Sequence, residues 1–208
     1  CLSALGPSVF MVMLKTEEMN REFGIALFLL LGGLSMALVY AIDNFIHRNV
    51  KKVSLNIKES IKLTFCGIFS ACQFFAFVLA MEMGSVTETT MMVRVSPLMS
   101  MLMGHYFLNE KIRNWKSVVL ASVLCLGGVY FMQDMNMVSL KQDNILAMFF
   151  GILCALALAG KNTLSSSLTT KHHNLPTFFV VATSMIIGGL LMLLTINRNS
   201  LSVPSINQ

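Results

Sequence analysis

The distribution of apolar residues constrains this chain more than any single motif does. Six apolar runs, each bounded by charged or polar residues, are long enough to cross a bilayer core of about 30 Å as α-helices. They comprise residues 23–42, 63–81, 89–108, 115–132, 145–168 and 175–196. The pattern predicts an all-α integral membrane protein, a multi-pass helical bundle whose backbone polar groups are satisfied within each helix.

The composition supports the same class. The chain is 55% hydrophobic and only 12% charged, whereas a soluble domain of 208 residues would need more charge on its surface. Its net charge of +5 suggests a nucleic-acid partner at first, but the basic residues lie mainly in turns between apolar runs and form no patch with interleaved aromatic residues. We therefore expect no nucleic-acid partner.

The first 14 residues form a further apolar segment, which is too short to cross a bilayer comfortably. The sequence does not begin with methionine, and no charged region precedes this segment as a signal peptide would require. We interpret the segment as the second half of a first helix whose beginning is missing from the sequence.

Lysine and arginine residues are more frequent in the connecting segments on one predicted side of the membrane than in those on the other side. Nine lie on one predicted side, namely Arg48, Lys51, Lys52, Lys58, Lys62, Lys111, Arg113, Lys116 and Lys171. Four lie on the opposite side, namely Lys15, Arg21, Lys141 and Arg198. Cytoplasmic loops carry the excess of basic residues, so this difference predicts that the richer side and the missing N-terminus are cytoplasmic.

The sequence also contains a weak internal repeat. At an offset of 156 residues, GGLSM at residues 32–36 aligns with GGLLM at residues 188–192, and Lys15 aligns with Lys171. A repeat unit of five helices crosses the membrane an odd number of times, so its second copy must be inverted across the membrane, as in many secondary transporters. The offset predicts ten helices in the complete protein, three of them beyond the end of this sequence.

One stretch carries a family resemblance. Residues 88–131 contain Pro97, the Leu-Asn-Glu turn at residues 108–110 and the glycine pair at residues 127–128. This stretch resembles the EamA repeat of the drug/metabolite transporter superfamily, and a looser likeness extends over almost the whole chain. The resemblance implies a ten-helix carrier built from inverted five-helix repeats, in which a central cavity holds an amino acid, a nucleotide sugar, a phosphorylated sugar or another metabolite.

The resemblance also implies a division of the chain. Residues 1–133 would be the first EamA-type repeat, lacking its N-terminal part, and residues 144–208 would be the start of the second repeat.

Arg94 lies inside the third apolar run, about 4.5 Å from the predicted bilayer centre. A lipid-facing arginine there costs roughly 2.5–3.5 kcal/mol on insertion scales, so its side chain should face protein or water. Thr90 and His105 share its helix face and extend a polar stripe, and Pro97 one turn later is expected to kink the helix. Two interpretations stay open: Arg94 lines a substrate cavity, or it forms a buried pair with a glutamate near the outer end of the helix.

Lys161 is a second cation inside a span, and residues 145–168 around it contain no acid. It either contacts substrate or extends its flexible stem toward the interface. If Arg94 and Lys161 face one cavity, their depths differ by about 10 Å, which a metabolite bearing a carboxylate or phosphate would bridge. Gln73, in the middle of its own span, either joins this cavity or bonds a neighbouring helix.

The remaining polar residues predict neither a metal nor another cofactor. The cysteines inside spans lack the C-x-x-C spacing of metal or redox sites, namely Cys66, Cys72, Cys125 and Cys154. The His172-His173 pair would need further ligands to hold zinc.

Two function classes remain: a secondary carrier, and a membrane-embedded enzyme or non-transporting assembly subunit. The second class needs a clustered set of acids, bases or metal ligands, whereas Asp43, Asp134 and Asp143 are scattered over loop edges. We therefore expect a transporter, not an enzyme. The two cations and the lack of acids within the spans favour an anionic or zwitterionic metabolite.

The expected partners are this small-molecule substrate and the lipid bilayer. A proton or counter-substrate is a candidate for coupling, and a homodimer is a candidate assembly. We expect a plasma membrane, with an organellar membrane as the alternative.

Overall fold

The computed structural model describes residues 21–47, 55–84, 93, 95–108, 115–132, 142–169 and 175–195. Over these residues the chain forms six α-helices and no strand. They are α1 (Arg21–His47), α2 (Ile57–Met83), α3 (Ser96–Leu108), α4 (Trp115–Met132), α5 (Gln142–Thr169) and α6 (Thr177–Thr195). Each helix overlaps one of the six predicted apolar runs, so the predicted all-α architecture is confirmed. The predicted remnant of a first helix, residues 1–14, lies outside the described residues.

Four of these helices contain segments long and apolar enough to cross a membrane. The segments are Glu22–Ile46, Ile57–Met83, Leu146–Thr169 and Thr177–Thr195. The apolar segment of α4, Trp115–Leu124, is shorter. Helix α3 has 13 residues, and most of the residues before it in the predicted third run, 89–92 and Arg94, lie outside the described part of the chain. The four long segments support a multi-pass integral membrane protein.

Helix α2 begins six residues before the apolar run from which it was predicted. Asn56 caps its first turn, and its backbone N–H donates to Glu59 Oε2 at 2.9 Å, which completes a capping box. A capping box satisfies amide groups that the helix itself leaves unpaired. The polar residues 57–62 can therefore continue the helix beyond the apolar run.

The start of α3 reflects the influence of Pro97. Val93 has helical backbone geometry, Val95 lies in a turn and α3 begins at Ser96. A proline ring clashes with the carbonyl of the residue four positions earlier, which here is Val93, and proline is tolerated in the first turn of a helix. The helical geometry is therefore interrupted at the position where the sequence predicts a disruption.

Helix α2 packs against both α5 and α6, while α1 packs on α6 and α3 packs on α5. One apolar cluster joins α1, α2 and α6 around Ile25, Ala26, Leu29, Ala71, Val78 and Met192. A second joins α2, α5 and α6 around Leu63, Cys66, Leu168, Leu175 and Val180. Many large apolar side chains point outward instead, as in Phe45, which is 86% exposed, and such a surface suits contact with lipid tails.

Helices α1 and α6 cross at a reciprocal pair of close approaches. A Cβ atom on Gly33 would lie 3.1 Å from the carbonyl oxygen of Ala182, and a Cβ atom on Gly189 would lie 3.1 Å from the carbonyl oxygen of Ala26. The second contact is the first with its partners exchanged, because Gly189 follows Gly33 by 156 residues and Ala182 follows Ala26 by the same number. A Cβ atom at either position would press on the opposite backbone, so glycine favours this close approach.

The side chains next to the two glycines are related by the same exchange of helices. Ile186 lies against Gly33 and Leu30 lies against Gly189, and these two side chains are again 156 residues apart. The crossing is antiparallel, so a two-fold axis that exchanges the helices runs perpendicular to them. For two membrane-spanning helices this axis lies in the membrane plane, as in inverted repeats. The offset predicted from the sequence therefore corresponds to a physical symmetry at this crossing.

Candidate functional site

The chemically distinctive residues of the described structure meet where α2 packs on α5, which we name the α2–α5 seam. It is formed by contacts of Lys62, Cys66 and Phe69 of α2 with Gly160, Lys161 and Ser167 of α5. The Phe69 ring lies 3.1 Å from where a Cβ of Gly160 would stand, and Cys66 Sγ lies 4.0 Å from the Lys161 carbonyl oxygen. Higher positions on α2 meet lower positions on α5, so the two helices are antiparallel.

Lys161 is half-buried and lies eight residues before the end of α5. Leu164 and Leu168 share its helix face by spacing and pack into the apolar cluster that contains Leu63 and Cys66. No hydrogen-bond or ion-pair partner for its ammonium group occurs among the described residues. The structure thus places a cation in largely apolar surroundings beside α2.

Gln73 lies on the same face of α2 as Cys66 and Phe69, because residues three or four apart share a helix face. It is about 10 Å farther along the helix than Cys66. Its Oε1 atom is buried and has no hydrogen-bond partner in the part of the chain that the structure describes. A buried carbonyl oxygen without a donor is costly, so a donor supplied by water or by a ligand would stabilise it.

Ser70 holds a second buried oxygen without a partner in the described structure. This residue is fully buried, but its Cβ lies 3.3 Å from where a Cβ of Gly188 would stand, so it faces α6 rather than α5. Ser70 therefore belongs to the packing of α2 on α6.

A hydroxyl contact places α3 beside the same seam. Thr163 of α5 is buried, and its Oγ1 donates a hydrogen bond of 3.5 Å to the carbonyl oxygen of Ser100. Because Thr163 follows Lys161 by two residues, it lies on a different face of α5. Helix α5 thus contacts α2 on one side and α3 on another.

The other predicted site residues have different outcomes. Arg94 and Thr90 lie outside the described residues. His105 stacks edge-on against the ring of Trp115, with centroids 5.3 Å apart, and also contacts Tyr106. The contact with Trp115 joins α3 to α4, whereas the contact with Tyr106 lies within α3. The structure therefore places Lys161 in the seam, Gln73 on the face of α2 that carries Cys66 and Phe69, and His105 among aromatic rings.

Comparison with known proteins then identifies the family. The model of the EamA-like transporter family matches residues 2–133. The chain belongs to the EamA-like transporter family. No curated protein and no solved structure matches the chain. Membership of this family points to an integral membrane protein that transports small molecules rather than to an enzyme.

In this EamA-like transporter, no group of three histidine, cysteine or acidic side chains could hold a metal ion within the ranges that the structure describes. The cysteines described there, Cys66, Cys72 and Cys154, are free thiols.

The sequence did not predict the pairing of Lys62 with Ser167. Lys62 is expected in a loop from its place in the sequence, yet its Nζ donates a hydrogen bond of 3.0 Å to Ser167 Oγ on α5. Spacing along the sequence would have placed Lys62 on a helix face. Successive intervals of four, three and four residues separate Lys62, Cys66, Phe69 and Gln73, and residues at such intervals share one face of a helix.

Proposed function

We propose that this EamA-like protein is a secondary transporter of a small polar metabolite that is anionic or zwitterionic. Such substrates include amino acids, organic anions and phosphorylated or nucleotide-linked metabolites. The proposal is carried by Lys161, a half-buried cation within a membrane-spanning segment that has no acidic partner among the described residues. Lys161 in the α2–α5 seam and Gln73 on α2 supply substrate contacts.

The energetics of an unpaired cation support an anionic ligand. Insertion scales give roughly 2.5–3.5 kcal/mol for a lysine at the centre of a membrane helix. A substrate carboxylate or phosphate offsets part of this cost, because a hydrogen bond between ionised partners is about twice as strong as a neutral one. Since the anion arrives with the substrate and is not a fixed side chain, its release leaves the site ready for another transport cycle.

Gln73 supports the zwitterionic part of the proposal. A glutamine amide offers a carbonyl oxygen that accepts and an NH₂ group that donates. The buried Oε1, which lacks a donor in the described structure, would accept from the ammonium or hydroxyl group of a substrate. Gln73 lies about 10 Å along α2 from the level of Lys161, so the two residues would contact different ends of one metabolite or successive positions along its path.

The remaining contacts in this proposal come from the third predicted span. Arg94 is the principal cation, because its planar guanidinium group binds a carboxylate or phosphate through two parallel hydrogen bonds. Thr90 and His105 contribute hydrogen-bonding groups from the same span.

A membrane-embedded enzyme or a non-transporting subunit is the alternative. An enzyme would need a set of acids, bases or metal ligands arranged around a reacting atom. Within the described ranges no such group of metal ligands occurs, and family membership favours transport. Turnover of a substrate by the purified protein without any transport in vesicles would support the alternative.

Transport by the full-length protein in proteoliposomes tests the proposal. Uptake of L-alanine, succinate, inorganic phosphate and choline is compared between the wild type, Lys161→Met and Asn162→Leu. The matched control Asn162 is the exposed neighbour of Lys161 on α5. We expect Lys161→Met to reduce uptake of the accepted anion or zwitterion at least about tenfold, the factor that 1.4 kcal/mol of lost binding produces. Choline uptake that survives Lys161→Met at the wild-type rate would contradict the proposal.

Coupling and assembly are part of the same proposal. A proton gradient or a counter-substrate would drive the carrier, in the plasma membrane or in an organellar membrane, and the carrier could act as a homodimer. Uptake with an imposed pH gradient, compared with uptake into vesicles preloaded with unlabelled substrate, distinguishes the two modes of coupling.

A further inference from the structure

We propose that Lys62, positioned by Ser167, is a second cationic contact of the α2–α5 seam and that the seam selects small metabolites with two negative charges. Examples are dicarboxylates and phosphate esters. This inference rests on the proposed function, because it assigns a substrate class to the same site.

The position of Lys62 differs from that of an ordinary interfacial lysine. Lys62 is half-buried between α2 and α5, whereas Lys58, one turn earlier on α2, is exposed. The Lys62 ammonium donates one hydrogen bond, of 3.0 Å, to the neutral hydroxyl of Ser167. An ammonium group has three donors, so two remain for a ligand.

The closest acid along α2 is already engaged at the start of the helix. Glu59 is buried, and its Oε2 accepts a hydrogen bond from the backbone N–H of Asn56 in the capping box. Lys62 has no ion-pair partner among the described residues. Its charge is therefore held in the seam by a neutral side chain.

Lys62 and Lys161 lie on opposite sides of the seam and are offset from each other along it. The backbone of Lys161 is level with Cys66 of α2, since Cys66 Sγ lies 4.0 Å from the Lys161 carbonyl oxygen. Cys66 follows Lys62 by one helical turn, which is about 6 Å along the axis. Ser167, which accepts the hydrogen bond from the Lys62 ammonium, follows Lys161 by six residues. A ligand that contacts both ammonium groups therefore needs two anionic groups set apart along the seam, which a monoanion lacks.

Ligand-dependent thermal unfolding of the purified full-length protein tests this inference. A ligand that binds only the folded state raises the unfolding temperature, and the free energy of stabilisation grows with the logarithm of the ligand concentration divided by Kd. The probes are succinate, inorganic phosphate, L-alanine and choline. The variants are Lys62→Met, Ser167→Ala, Lys161→Met and the matched control Lys58→Met, which removes the same charge from an exposed position of α2.

We expect succinate or phosphate to stabilise the wild type and Lys58→Met equally. In Lys62→Met the apparent affinity for that dianion should fall about tenfold, and Ser167→Ala should lose a smaller part of it. Equal dianion affinity in Lys62→Met and Lys58→Met overturns the inference. Each variant is first compared for membrane insertion and a single peak in gel filtration, so that loss of folding is recognised separately.

The probes separate failure of this inference from failure of the proposed function. Stabilisation by L-alanine but by neither dianion, lost in Lys161→Met, overturns the role of Lys62 and leaves the proposed transporter intact. Stabilisation by choline alone, or by none of the four probes, overturns both.

Discussion

Gly33 of α1 and Gly189 of α6 occupy equivalent positions on the two sides of one helix crossing. A Cβ on either glycine would lie 3.1 Å from a carbonyl oxygen of the opposite helix. The two residues are 156 positions apart, which is the offset of the internal repeat. Residues that match in the sequence repeat thus make equivalent contacts on the two sides of this crossing, and the two-fold symmetry of the crossing follows the repeat.

This relationship predicts that the same substitution at Gly33 and at Gly189 lowers the stability of the protein by a similar amount. Gly33→Ala and Gly189→Ala should each destabilise the protein by about 1–3 kcal/mol, because a new methyl group meets backbone that cannot turn aside as a flexible side chain can. Gly127→Ala on α4 is the control, since a Cβ there meets nothing within 4 Å. Thermal unfolding in detergent measures the difference. Glycine variants at the crossing that are as stable as Gly127→Ala would argue against a close crossing.

Removal of two buried hydroxyl groups, those of Ser70 and Thr163, should change the stability of the protein in opposite directions. Ser70 Oγ has no hydrogen-bond partner in the described structure, so Ser70→Ala should leave stability unchanged or raise it by up to about 1 kcal/mol. Thr163 Oγ1 donates to the Ser100 carbonyl oxygen, so Thr163→Ala should lower stability by about 0.5–1.5 kcal/mol. Thermal unfolding of both variants in the same detergent provides the comparison. Marked destabilisation by Ser70→Ala would mean that its hydroxyl has a partner, such as a bound water.

The predicted orientation is tested by cysteine labelling. On a background in which the native cysteines are replaced by alanine, a cysteine at Lys51, Asn114 or His172 should be shielded from an impermeant thiol reagent in right-side-out vesicles. Labelling of a cysteine at Ser139, by contrast, should be complete. The reverse pattern would mean that the basic loops face outward and that the assignment of cytoplasmic loops is wrong.

Arg94 gives a prediction about substrate recognition. Arg94→Gln in the full-length protein should reduce transport at least about tenfold while leaving membrane insertion intact, because a hydrogen bond to a charged group contributes about 1.5–3 kcal/mol. Arg94→Lys should restore only part of the rate, since lysine lacks the planar, two-pronged donor. Uptake into proteoliposomes measures both. Wild-type transport by Arg94→Gln would leave Arg94 with a structural role.

Hydropathy predicted the number of described helices and their approximate positions, because a bilayer requires about 20 apolar residues for each helical crossing. It missed the true start of α2, since the capping box of Asn56 and Glu59 extends that helix through polar residues. Pro97 correctly indicated an interruption near the start of α3. These are local effects of backbone chemistry, which sequence patterns report well.

The residues of the candidate site were harder to predict from the sequence than the helices were. The sequence marks Lys161 and Gln73 as unusual polar residues inside spans, but the position of Lys161 beside α2 depends on α2 packing against α5. From the sequence, Lys62 is expected in a loop, because basic residues near membrane boundaries usually mark topology. Its hydrogen bond to Ser167 joins residues more than 100 positions apart, and no local pattern indicates such a contact.

The sequence by itself determined the membrane class, the helices and the 156-residue repeat, because each depends on residue type and spacing along one chain. Only the tertiary structure decided which helices are neighbours, and hence that Gly33 meets α6 and that Lys62 bonds Ser167 of α5. The physical reason is that every membrane helix presents a similarly apolar surface to lipid and to its neighbours. Hydropathy therefore cannot select partners, and selection depends on close backbone approach and on a few hydrogen bonds between helices.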